Sequence, residues 1–280
     1  MRGNSNLTFL LTVFVGLSGY LGYVVYNQQI PCVTPITYQL VGIDEQFGLS
    51  EEKVKADIDE AAAVWNEALG REVLVTGEHA TLPVSFVYTS TQQTVDSIAS
   101  IGEDIDQAKA ELTRVANEYG ALKKQYDALN SRGRATQEMY DSLTKLRDQY
   151  NALRDQINAD IARGSSLPSG EVEEGKYIRD ADGTRIYIYA YQDKTELMRT
   201  LTHEFGHSLG LDHVENPDSI MYRSSSQSTG LSLTQEDVAE LTRVCNEAKE
   251  LPIAKVYLFA EPLFTQLEPF FDQLRALATK

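Results

Sequence analysis

Histidine and cysteine are both scarce in this chain of 280 residues, which holds four histidines and two cysteines. The low cysteine count excludes a disulfide-dense scaffold and a zinc site built from several thiolates. Three of the four histidines, His203, His207 and His213, lie within eleven residues of the sequence. Because the side chain is so rare elsewhere in the chain, this clustering indicates a local chemical site.

Positive charge is also in short supply, since 25 Lys and Arg residues face 41 Asp and Glu residues, giving a formal net charge of −16. This balance argues against a nucleic-acid partner and against docking on anionic lipid through a basic surface. The 42% hydrophobic content is enough for one substantial core with accessory pieces.

Residues 7–26 form an apolar run of twenty residues without a charge. A helix of that length spans about 30 Å, the thickness of a bilayer core. With Arg2 on its N-terminal flank, the run predicts a signal anchor or transmembrane helix in residues 1–26, with the N-terminus in the cytoplasm. The protein is then membrane-anchored and extracytoplasmic. A cleaved signal peptide, giving a secreted protein, and a buried core helix are the alternatives.

The three clustered histidines follow the pattern H-E-x-x-H-x-x-G-x-x-H over residues 203–213. His203 and His207 are four residues apart, so on a helix both imidazoles project from one face toward one Zn²⁺. Gly210 can end that helix in a left-handed conformation, after which His213 completes a three-histidine site. Such a site leaves a coordination position open for water, which is typical of one catalytic zinc ion.

Two further residues belong to the same pattern. Glu204 follows the first ligand, where its carboxylate can take a proton from a zinc-bound water and return it to a leaving amine. Met221, in Ser219-Ile220-Met221-Tyr222, lies eight residues beyond His213. A methionine there would place a soft apolar floor beneath the ligand imidazoles.

The stretch from Leu197 to Tyr222 resembles the metzincin metalloproteases and is most similar to their matrixin branch. The resemblance extends to residues 36–90 and about 176–248 and implies an α+β fold with a mixed sheet and three helices. It also implies a zinc-dependent endopeptidase that acts on protein or peptide substrates. Two departures are visible: His79 is the only histidine left for a second, structural zinc, and Tyr222-Arg223-Ser224 replaces the usual Pro-x-Tyr. No pattern indicates calcium, which stays open as an additional ion.

Between the two halves of this resemblance, apolar residues recur at alternating steps of three and four. The pattern predicts an antiparallel coiled-coil hairpin inserted at residues 91–165, which could dock a protein partner or act as a spacer. The predicted seam contains Ile98, Ile101, Ile105, Ala108, Leu112, Val115, Tyr119, Leu122, Tyr126 and Leu129, then Met139, Leu143, Leu146, Tyr150, Leu153, Ile157 and Ile161.

The predicted organisation therefore has five parts: the anchor at 1–26, protease halves at 33–90 and 166–250, the hairpin at 91–165, and an amphipathic tail at 251–280. Cys32 and Cys245 would form a disulfide in an oxidising compartment, or remain as two buried thiols. The leading functional prediction is the endopeptidase. The alternative is an envelope scaffold that binds a partner through the hairpin and carries a vestigial zinc site.

Overall fold

The computed structural model describes residues 30–168, 173–223, 231–255 and 257–258. The chain forms two compact units. The sheet unit comprises the described residues up to Val87, Glu174–Ile188 and those from Asp193 onward, and the hairpin unit comprises those within Tyr88–Glu173 and Tyr189–Gln192.

A five-stranded sheet forms the centre of the sheet unit. Its order is β2-β1-β3-β5-β4, with parallel neighbours except for β4, which runs antiparallel to β5 at one edge. A mixed sheet with helices fits the matrixin-like fold expected from the sequence. The strands are β1 Ile36–Ile43, β2 Leu74–Thr76, β3 Leu82–Phe86, β4 Gly175–Asp180 and β5 Gly183–Ile188.

Within the described parts of the chain, α-helices lie between and after these strands, and a short 3-10 turn, Glu45–Phe47, follows β1. Polar side chains cap the helices of the sheet unit: Ser50 Oγ accepts from Lys53 N, and the Asp193 carboxylate accepts from Glu196 N. The helices are α1 Glu51–Leu69, α2 Ser90–Asn130, α3 Gln137–Ser165, α4 Lys194–Ser208 and α5 Gln235–Glu250.

The core of the sheet unit fixes α4 in place. Trp65 of α1 is fully buried, and its indole Nε1 donates a 2.8 Å hydrogen bond to the carbonyl of Thr202 on α4. The ring of Phe205, also on α4, lies 5.2 Å from that of Tyr38 on β1. Helix α4 is therefore held by both α1 and the sheet, which makes it a rigid support for the side chains on its outer face.

A disulfide joins Cys32 to Cys245, with the two Cα atoms 5.1 Å apart. It fastens the segment before β1 to α5, where Ile30 and Val33 pack in one apolar cluster with Ala248 and residues beyond α5. The bond thereby links the segment before the first strand of the sheet unit to a helix that follows its last strand.

In the hairpin unit, α2 and α3 are two antiparallel helices that pack on each other. Their ends meet near Ile101 and Gly164, and the rings of Tyr126 and Tyr140 lie 6.3 Å apart toward the turn. Val115 is fully buried, but Ile98 and Tyr150 of the predicted seam are exposed. Two helices alone cover a seam from only one side, so its flanks stay open. Coiled-coil packing of this pair stays a prediction.

Among the described residues, no helix is long and apolar enough to cross a membrane. The longest described helices, α2 and α3, carry charged side chains along their whole length. The predicted membrane-anchored, extracytoplasmic location is contradicted by this finding. The apolar run 7–26 itself lies outside the described residues, as does most of the predicted amphipathic tail at 251–280.

Candidate metal centre

Helix α4 and the turn after it carry the histidine-rich motif. His203 and His207 project from successive turns of α4. After the helix ends, Gly210 adopts φ +92°, a left-handed conformation that glycine tolerates, and Leu211 N bonds back to the carbonyl of Gly206. The chain thus reverses and brings His213 back toward the helix.

The three imidazoles converge on one point. The Nε2 atoms are 3.0 Å apart for His203 and His207, 3.2 Å for His207 and His213, and 3.3 Å for His213 and His203. Two nitrogens bound to one Zn²⁺ at about 2.0–2.1 Å with tetrahedral geometry are about 3.3 Å apart. The donor set therefore fits a zinc ion, and these three residues form the one group of at least three potential ligands found in the described parts of the chain.

Backbone carbonyls fix the orientation of two of these rings. His203 Nδ1 lies 2.7 Å from the carbonyl of Ile220, and His207 Nδ1 lies 2.8 Å from that of Leu211. A carbonyl can only accept, so each Nδ1 carries the proton and each Nε2 presents its lone pair to the common point.

Burial keeps the same rings neutral. Desolvation lowers the pKa of His203 from 6.5 to about 4, and it also lowers the pKa of His207. Neutral imidazole is the form that binds a metal. The two helical histidines are therefore in the metal-binding form at neutral pH.

Met221 lies directly beneath the motif. It is fully buried, and a Cβ placed on Gly206 would come within 2.3 Å of its Sδ and 2.9 Å of a Trp65 ring carbon. Glycine at position 206 is therefore what allows the methionine to approach the helix between the two histidines. Sequence reasoning identified Met221 but not Gly206, whose role depends on contacts with two distant segments.

Asp237, the third residue of α5, organises the turn that contains Met221. Its buried carboxylate accepts hydrogen bonds from the Ser219 hydroxyl, from Ile220 N at 3.2 Å and from Met221 N at 3.1 Å. Burial alone would raise the pKa of Asp237, but the hydrogen bonds outweigh it and lower the pKa below its ordinary value. Because Ile220 also orients His203, Asp237 supports the site from outside it.

Glu204 lies beside the histidines and is itself buried, with 5% of its surface exposed. Its Oε2 accepts a 2.6 Å hydrogen bond from the backbone N–H of Tyr177 on β4. A buried carboxylate next to a potential metal site can exchange a proton with a nearby water or amine. His79, by contrast, is exposed and does not join the histidine group.

Comparison with known protein families gives one match that covers this region. The family model of the matrixins, peptidase family M10, matches residues 31–245, well over half of the chain. No curated protein matches the sequence. The matched region runs from the segment before β1 to the second cysteine of the disulfide and includes the motif on α4. The chain belongs to the matrixins, a family of metallopeptidases.

Proposed function

We propose that the protein is a zinc-dependent endopeptidase in which His203, His207 and His213 hold the metal and Glu204 is the general base. The observation that carries this proposal is the convergence of three Nε2 atoms within 3.3 Å beside a buried glutamate. The family match supports the reaction class, because matrixins are metallopeptidases.

When bound, a Zn²⁺ ion supplies Lewis acidity, which polarises a carbonyl and lowers the pKa of water. The chain's own residues supply orientation and proton transfer. The carbonyls of Ile220 and Leu211 hold His203 and His207 in the ligating tautomer. Glu204 takes the proton of the attacking water and returns it to the amine that leaves when the peptide bond breaks.

The test is cleavage of an unfolded protein such as casein by the full chain. Activity should disappear with a chelator and return with Zn²⁺. Glu204→Ala should keep zinc binding, since all three histidines remain, yet lower kcat by about 10²–10⁴-fold. Glu236→Ala, at an exposed glutamate on α5, is the matched control and should retain activity. A zinc-loaded, folded protein that cleaves no peptide, or a fully active Glu204→Ala variant, would contradict the proposal.

A second candidate function, recruitment of a protein partner or substrate, is supported by one face of the hairpin. In heptad notation Ile98 and Tyr150 take position a, and Tyr140 takes the flanking position e. Ile161, included in the predicted seam, follows Ile157 by four residues and therefore falls at e, one residue past the buried Asp160. In antiparallel helix pairs the e positions of both helices lie on the same face. The exposed apolar side chains therefore share one face: Ile98 (49%), Tyr140 (52%), Tyr150 (37%) and Ile161 (50%).

The charged side chains of the hairpin also differ between its two faces. Four of the e positions carry a basic residue, whereas three g positions of α2, on the opposite face, carry an acidic one. The basic residues form exposed ion pairs with acids nearby on their own helices, and such pairs are weak. We infer that this face suits an amphipathic helix with acidic flanks. The e positions contain Lys109, Lys123, Arg147 and Arg154, and the g positions Asp104, Glu111 and Glu118.

A further inference from the structure

The beginning of β4 crosses the face of α4 that carries Glu204. Thr200 and Glu204 are four residues apart on α4 and therefore lie on one side of the helix. Glu174, just before β4, is buried against this side, with its Oε2 3.5 Å from the Thr200 hydroxyl. The strand thus starts in direct contact with the turn of helix that precedes the motif.

Gly175 is the closest point of this crossing. A Cβ at position 175 would lie 2.6 Å from Thr200 Cγ2 and 3.1 Å from both Cγ and Oε1 of Glu204. Gly175 is not among the glycines with positive φ, so backbone conformation does not require glycine here. Glycine is required at position 175 because Thr200 and the side chain of Glu204 occupy the space that a Cβ atom would need.

Two residues further along β4, the backbone contacts the other oxygen of the same carboxylate. Tyr177 N donates to Glu204 Oε2 over 2.6 Å. In the sheet formed by the described residues, β4 is an edge strand that pairs with β5 on one side. The Tyr177 amide points away from β5 and is used by Glu204. The carboxylate is therefore bounded by Gly175 at Oε1 and anchored by Tyr177 at Oε2.

We propose that Gly175 and the backbone amide of Tyr177 are positioning elements that hold the Glu204 side chain in its working orientation. The inference rests on the proposed function, because it assumes that Glu204 transfers protons. Proton transfer needs the base within hydrogen-bond reach of its target, and a displacement of about 1 Å can cost about a hundredfold in rate. Gly175 acts through Glu204 and does not touch the substrate.

The test compares Gly175→Ala with Gly42→Ala, a control in β1 where an added Cβ meets no atom within 4 Å. Gly175→Ala should lower kcat by about ten- to a hundredfold, with KM and zinc affinity unchanged. Gly42→Ala should leave all three unchanged. Zinc affinity, measured by competition with a chromophoric chelator, provides a readout that is independent of turnover.

A double-mutant cycle separates positioning from a structural role. On the Glu204→Ala background, Gly175→Ala should cost no further activity, since the group it displaces is gone. An additional loss there would show that Gly175 supports the fold or the metal instead. Wild-type kcat in Gly175→Ala, combined with an inactive Glu204→Ala, would overturn the inference and leave the proposed function standing. An active Glu204→Ala would overturn the proposed function itself.

If Gly175→Ala does not fold, Gly175→Ala with Thr200→Ser carries the test. Serine lacks the Cγ2 atom that makes the closest contact but keeps the hydroxyl, so the severe clash is relieved while the contact with Glu204 remains. A folded double variant with lowered kcat supports the positioning role, provided that Thr200→Ser alone has normal kcat. A folded double variant with normal kcat contradicts it.

Discussion

Glu174 lies just before β4 with 7% of its surface exposed, close to Glu196 and Thr200 of α4. Burial, followed by the charge of Glu196, raises the pKa of Glu174 from 4.5 to about 8. The carboxyl group is therefore protonated in the folded protein at pH values where it is ionised in the unfolded chain. The folded state holds one more proton than the unfolded state between these two pKa values.

This difference predicts how stability depends on pH. The contribution of Glu174 is fully present below pH 4.5 and is lost as the pH rises to about 8. Glu174→Gln, which stays neutral, should therefore stabilise the protein relative to wild type at pH 8 by a few kcal/mol, and by much less at pH 5. Urea unfolding at the two pH values measures the difference. Glu173→Gln, at the exposed neighbour, is the control, and a pH-independent effect of Glu174→Gln would contradict the prediction.

The sequence identified single residues whose roles depend on neighbours close to them in the chain. His203, His207 and Gly210 follow from helix geometry over eight residues. Gly175 and Asp237 could not be found in this way, because their roles depend on segments brought together only by the fold: Gly175 meets α4, and Asp237 meets the turn containing Met221.

At the scale of elements, apolar periodicity predicted the two long helices of the hairpin unit. Strand β2, with three residues, is too short to give a pattern. The order of the strands in the sheet depends on long-range pairing and could not be obtained from local spacing.

The hairpin can be tested as a separable element by replacing residues 102–162 with a short Gly/Ser linker. A Cβ on Gly164 would lie 3.6 Å from the Ile101 side chain, so a short linker spans the gap. The cut also keeps Gln92, whose side chain bonds to both the N–H and the carbonyl of Tyr191. The variant should fold, bind zinc and cleave small peptides at the wild-type rate, since the metal ligands all lie in the sheet unit.

If the hairpin recruits protein substrates, this variant should lose activity on them selectively. Cleavage of a protein substrate that displays an acidic amphipathic helix should slow, while cleavage of a short peptide should not. Equal rates on both substrates would remove support for recruitment. Failure to fold or to bind zinc would contradict the division of the chain into separable parts.

At the scale of the whole molecule, the Cys32–Cys245 disulfide spans 213 residues. A link across so long a segment lowers the conformational entropy of the unfolded chain. Removing a native disulfide typically costs about 2–5 kcal/mol of folding stability. The variant with both cysteines changed to serine should lose stability of this order in urea unfolding while keeping its zinc affinity. Wild-type protein under reducing conditions should behave in the same way, and unchanged stability in both would contradict the prediction.

The same disulfide affects what happens when the chain is cut. Any single peptide bond broken between residues 33 and 244 yields two fragments that remain covalently joined through Cys32 and Cys245. A peptidase nicked in its own hairpin, by itself or by another enzyme, would therefore still migrate as one species on a gel without reductant. Only reduction would separate the pieces, so self-cleavage of this protein has to be followed on reducing gels.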